Sequence, residues 1–114
     1  MNRFHFTVAD GEHWGWADIA GVSLSTKDDC AAISGAVITV TGRHGETSSP
    51  INDRVYFVLT GIGRFAVAGE EVAVSPDEMV IVPKNTLYDF WSDSEMRLFV
   101  VDSPAFDEET ESTS

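Results

Sequence analysis

Residues 42–61 read GRHGETSSPINDRVYFVLTG and residues 77–92 read DEMVIVPKNTLYDFWS. Each stretch holds a short apolar run bounded by glycine, proline or asparagine, the pattern of strands that stop at tight turns rather than of helices that continue. Side chains alternate between the two faces of a strand, so Arg54, Tyr56 and Val58 point one way, and Tyr88 and Phe90 share a face on the second stretch. An arginine set among inward-facing aromatics demands a partner.

On either side the same grammar recurs. FHFTV at 4–8 alternates large apolar residues with His5 and Thr7, is closed by Asp10-Gly11, and predicts a strand. Further strands are expected at 16–24 and 33–41, with Gly21 and Gly35 as bends or bulges. From Val55 the pattern is regular: 55–60, 64–68 and 71–74, separated by Gly61-Ile62-Gly63 and Gly69-Glu70, predict a meander of tight hairpins. Ser75-Pro76-Asp77-Glu78 suits a type I turn, and 79–82, 86–91 and 96–102 complete the strands. Asn85 is placed for a left-handed turn residue, since asparagine enters that region at low cost. About eight short strands recur at spacings of about ten residues, with no helical stripe, so the predicted fold class is all-β, an antiparallel jelly-roll β-barrel. Residues 1–106 are expected to form a single domain. Residues 107–114, DEETESTS, lack any apolar residue and are expected to be a disordered acidic tail.

Composition bounds the function. Nineteen acidic against seven basic residues give a formal charge of −12, which repels phosphate backbones and anionic headgroups; nucleic acid and membrane partners are not expected. Only Lys27 and Lys84 are lysines, a balance suited to solubility in salt. The apolar runs are far shorter than the roughly 20 residues that cross a bilayer, and the N-terminus lacks a secretory apolar region, so a cytoplasmic location is expected. Cys30 has no partner for an internal disulfide and is read as a structural thiol.

The two stretches resemble the paired motifs of the cupin superfamily. Gly42 and Gly61 fall on the glycines of the first motif and Pro83 on the proline of the second. The usual metal ligands do not: the histidine positions fall on Ser48 and Pro50, the acidic position on Arg54 and the second-motif histidine on Tyr88. Asp77, Asn85 and Ser92 replace the second motif's Gly, Gly and Asn. VPKNTLYDF followed by RLFVVDSPAFD is similar to small single-domain cupins that lack the usual metal ligands, including the accessory cupin of ethanolamine utilisation. The resemblance implies a jelly-roll cupin domain and, since cupins usually dimerise, a homodimer. Phe4, Phe6, Trp14, Trp16, Trp91 and Asp89 are candidates for its interface. Metal-free cupins of the sugar-nucleotide epimerase type, similar in architecture only, imply a proton-transfer role for a tyrosine such as Tyr88.

A guanidinium where the carboxylate ligand would stand repels a cation, so neither a metal nor another cofactor is expected. The alternative of a displaced metal site built from His5, His13 and His44 has no diagnostic spacing. The cavity instead reads as a small-molecule site. Arg54, Tyr56, Ser48 and Phe90 are the candidate ligand-binding residues, with Arg54 seeking an anion because its buried charge must be compensated. That anion is either a ligand carboxylate or phosphate, or one of Asp53, Glu46 and Asp89. Tyr88 and His44 are the candidate catalytic residues, His44 oriented by Glu46 or Asp53 or else lying in solvent on its glycine-flanked loop. Trp14 and Trp16 share a face and either wall the cavity entrance or bury against a second copy. The expected function is metal-independent binding of a small polar or anionic molecule, with a non-redox isomerisation, cyclisation or elimination, or else a non-catalytic binding or accessory role.

Overall fold

The computed structural model describes residues 4–107. Apart from one 3-10 turn at Val8–Asp10, its regular structure is strand: β1 Glu12–Trp16, β2 Ile19–Ser23, β3 Ser34–Val40, β4 Asp53–Gly61, β5 Gly63–Val67, β6 Glu70–Val74, β7 Met79–Val82, β8 Tyr88–Trp91 and β9 Met96–Ser103. Six strands form a sheet in the order β1-β2-β3-β9-β4-β7, and three form a second sheet in the order β6-β5-β8. All pairings are antiparallel. The fold is the all-β jelly roll expected. Among the described residues no helix is long and apolar enough to cross a membrane.

The inner faces of the two sheets meet in one apolar cluster. Val40, Val58, Met96 and Leu98 come from the larger sheet and Phe65, Val74 and Phe90 from the smaller, all buried. β4 shows the period-2 pattern that makes this possible: Arg54, Tyr56 and Val58 are buried while their neighbours are not. A bulge between Val58 and Thr60 then shifts its register against β9. Gly61 ends the strand with φ +82°, where a Cβ would lie 2.0 Å from the Glu95 carbonyl oxygen, so both backbone conformation and space require glycine.

Several local expectations are corrected. FHFTV forms no strand. Thr7 instead caps the 3-10 turn by accepting the Asp10 N–H, and Phe4 is 84% exposed. The first strand begins only at Glu12 and pairs with β2 in a hairpin turned at Ala17, φ +48°. Gly21 is neither a bend nor a bulge, since both of its ladders run through it, whereas at Gly35 the β3–β9 ladder continues but the β2–β3 ladder stops at Ala36, with Leu24 and Ser25 both donating to the Gly35 carbonyl. The meander holds only for β5 and β6, whose turn residues Ala68 and Gly69 both have positive φ, as a two-residue hairpin requires. β4 instead pairs with β7 and β9, and the chain changes sheets between β4 and β5. At Ser75-Pro76-Asp77-Glu78 the φ of Asp77 is +72°, the signature of a type II turn rather than type I. Asn85 does adopt the left-handed conformation, φ +63°. Cys30 is exposed, not a packed thiol. Of the acidic tail, residues 108–114 lie outside the described residues, while Asp107 bonds Lys27 at 3.3 Å.

Candidate functional site

A cavity of about 800 Å³ opens between the sheets, and the buried Arg54, Tyr56, Tyr88 and Asp102 are among its lining residues. β4 brings Arg54 and Tyr56 to it and β8 brings Tyr88 and Phe90, as strand parity predicts. Arg54 is paired with Asp102, a carboxylate outside the three considered from sequence. Arg54 Nε donates to Asp102 Oδ1 at 2.6 Å, with both side chains only 10% exposed. The two residues face each other directly in the β4–β9 register. Burial works against the guanidinium charge, yet the oxygens of Tyr88, Asp102 and Tyr56 outweigh it and hold the Arg54 pKa above its usual value.

From Arg54 the polar chain continues. Its Nη1 donates to Tyr88 Oη at 2.9 Å, and Tyr88 Oη lies 2.8 Å from Tyr56 Oη. Tyr56 is buried, and burial holds its pKa well above the ordinary tyrosine value, so it keeps its proton. That buried proton must have an acceptor. Donation from Tyr56 to Tyr88 satisfies it and leaves the Tyr88 proton to be given to something in the cavity.

His44 reaches the same cavity although it lies on a loop. Its ring stacks on Phe90 with centroids 4.5 Å apart, lies 6.3 Å from the Tyr88 ring and meets Trp16 edge-on at 5.3 Å. The solvent-turn alternative is therefore corrected. The loop is fixed by β8: the His44 N–H donates to the Phe90 carbonyl, Thr47 and Tyr88 exchange backbone bonds, and Gly45 N–H donates to Asp89 Oδ1 at 2.8 Å. His44 Nδ1 lies 2.9 Å from the Gly45 carbonyl oxygen, an acceptor only, so Nδ1 carries the hydrogen and Nε2 is left with a lone pair. Burial lowers the His44 pKa; the Gly45 hydrogen bond and Asp89 oppose this only in part. The imidazole is thus held neutral.

The other expectations for the site are corrected too. Ser48 does not line the cavity; its neighbour Ser49 is the buried serine, bonded to Asn52. Neither Glu46 nor Asp53 orients His44, since Glu46 is exposed and Asp53 accepts the Lys84 N–H. Asp89, whose parity opposite to Tyr88 predicts an outward side chain, is instead buried. It is 2% exposed and accepts from Arg43 Nε at 2.6 Å as well as from Gly45. Trp91 lies under the Arg43 guanidinium, 4.3 Å from ring centroid to Cζ. Asp102 is the residue that sequence reasoning missed, and Asp89 is one to which it gave other roles. The signal for Asp102 was present in strand parity: Met96, Leu98 and Asp102 alternate inward along β9, which puts a carboxylate on an otherwise apolar face.

The donor set does not suit a divalent metal. Among the described residues His44 is the one imidazole lining the cavity, the carboxylate of Asp102 is engaged by Arg54, and that guanidinium would repel a cation. Among the described residues no group of three or more His, Cys, Asp or Glu side chains is arranged to hold one.

Residues 37–102 match the Cupin domain family. Among solved structures, Pac13 from Streptomyces, described as a unique nucleoside dehydratase, superposes with a TM-score of 0.82 at 22% identity, covering 94% of this chain and 87% of that one. Histidine-to-glutamine and tyrosine-to-phenylalanine variants of it have been solved with uridine. KdgF from Halomonas sp. superposes with a TM-score of 0.80 at 14% identity, covering 91% and 96% of the two chains. The EutQ protein of Clostridium difficile gives 0.67 at 18% identity, covering 76% and 63%. At these identities the likeness is one of fold.

Proposed function

This chain belongs to the cupin domain family, and from that premise we propose that it is a metal-independent cupin that binds a small polyhydroxylated molecule and eliminates water from it. One observation carries the reading: a neutral His44 with Nε2 unprotonated shares a cavity with Tyr88, whose proton is available and whose oxygen is held by Arg54. A base and an acid within reach of one substrate are what an elimination needs. His44 takes a proton from carbon, the C–O bond to the neighbouring hydroxyl breaks as Tyr88 protonates the leaving oxygen, and a carbon–carbon double bond and water result. The imidazolium proton then returns to the Tyr88 oxygen, so no oxidant or reductant is consumed. Arg54 stabilises that oxygen while it is negative. The carbon acid is reactive only next to a carbonyl, so the substrate class is a hydroxylated aldehyde, ketone or equivalent. The description of Pac13 as a nucleoside dehydratase, studied through histidine and tyrosine variants, supports the same chemistry.

The test is incubation of the purified protein with hydroxylated carbonyl compounds, including nucleoside-derived ones, in deuterium oxide. Loss of water and carbon-bound deuterium are read by mass spectrometry. His44→Gln is expected to lower turnover by roughly 10²–10⁴-fold while binding is retained. Binding by the wild-type chain with neither water loss nor deuterium incorporation would instead favour a non-catalytic binding cupin.

A further inference from the structure

We propose that Trp14 and Trp16 form a second subsite at the cavity mouth that holds a planar, uncharged ring attached to the reacting part of the ligand. The inference takes the cavity of the proposed function as its premise and adds the class of molecule that fills it. The starting point is volume: about 800 Å³ is near the upper end of small-molecule pockets, more than a sugar-sized fragment requires. Arg54, Tyr56 and Tyr88 are buried and line one part of that space, so the rest needs its own contact surface for the ligand.

The outer wall supplies it. The indoles of Trp14 and Trp16 both line the cavity, 5.7 Å apart and within 16° of parallel. Trp14 is seated by its surroundings. It lies over Gly21, its partner across the β1–β2 ladder, where any Cβ would fall 2.2 Å from the ring, and its Nε1–H donates to Ser23 Oγ at 3.0 Å. Trp16 is set against His44. Rigid indoles remaining 37% and 49% exposed inside a cavity retain apolar face for a ring to cover. A ring stacked there delivers its substituent to the proposed base, because Trp16 touches His44 directly.

Charge selects the rest. The cavity is lined by four carboxylates, Glu12, Asp28, Asp102 and Asp107, against two cations, Lys27 and Arg54. Each cation already bonds a carboxylate of that set: Lys27 to Asp107 and Arg54 to Asp102. Arg54 therefore does not require an anion from the ligand. On a chain of formal charge −12, a phosphorylated ligand is disfavoured and a neutral one admitted.

Calorimetric titration with uridine, ribose and uridine 5′-monophosphate tests this, with the oligomeric state followed in parallel by light scattering. The wild-type chain is expected to bind uridine about tenfold or more tightly than ribose, and more tightly than the monophosphate by a similar factor. Trp16→Ala should abolish the preference over ribose, whereas Trp16→Phe, which keeps a ring, should retain most of it. Uridine carries no carbonyl beside a carbon acid of its sugar and is not turned over, so its binding separates failure of the subsite from failure of the elimination chemistry. The proposal is overturned if uridine and ribose bind equally, if the monophosphate binds more tightly than uridine, or if Trp16→Ala leaves uridine affinity unchanged. Conversion of a dimer to a monomer by Trp16→Ala, with the ring preference intact, would likewise assign the tryptophans to a second copy of the chain.

Discussion

Asp102 decides what Arg54 can do. A guanidinium on the inward face of β4 would need a ligand anion if it stood alone, but with a carboxylate 2.6 Å away it becomes a fixed donor to Tyr88. Removing one member of a buried pair leaves the other charged and uncompensated, so Asp102→Asn is expected to destabilise the fold by roughly 3–5 kcal/mol, read by urea unfolding. His44 makes a different prediction, in pH. Its folded pKa lies below the ordinary histidine value, so the base stays active below about pH 6.5 and the acid limb of kcat/KM falls only under that value. The linked effect on stability has a definite sign. The unfolded chain takes up this proton first, so stability is present above about pH 6.5 and declines as pH falls through the window between the two pKa values. An acid limb at or above pH 6.5 would contradict the buried, neutral assignment. Phe90, Tyr56 and Tyr88 were legible at this scale because alternation along one strand settles which way they point.

Strands place these residues, and their ladders reveal couplings that no single segment contains. β1 was missed because EHWGW carries too few apolar residues for a core strand; all five of its residues are exposed. It exists because β2 offers it an edge, and Gly21 exists at the centre of β2 because the Trp14 indole lies on it. Gly21→Val should push that ring aside and break its bond to Ser23. We expect a loss of about 1–3 kcal/mol in thermal unfolding together with a changed near-ultraviolet circular dichroism signal from the indole. Retention of both would show that the ring is not seated there. The β4–β9 ladder has the same character: Arg54 and Asp102 are 48 residues apart in the chain and adjacent in the sheet.

For the whole molecule the governing quantity is charge. Nineteen acids on 114 residues leave a formal charge of −12, and such a surface repels itself in the compact state. Raising salt to about 1 M shortens the Debye length to about 3 Å, so the melting temperature is expected to rise with salt. Binding of a neutral ligand should change little over the same range, because buried hydrogen bonds and ring stacking are weakly screened. A melting temperature that falls with salt would place the stabilising electrostatics in surface ion pairs instead.

The jelly roll and the inward set Arg54, Tyr56, Tyr88 and Phe90 were readable in the chain, because turn residues and a two-residue period are local properties. The anion facing Arg54, the burial of Asp89, the seat of Trp14 and the entry of His44 were decided only by the tertiary structure. Each depends on register between segments far apart in sequence, and register is set when two sheets close on one core, not by any stretch of residues alone.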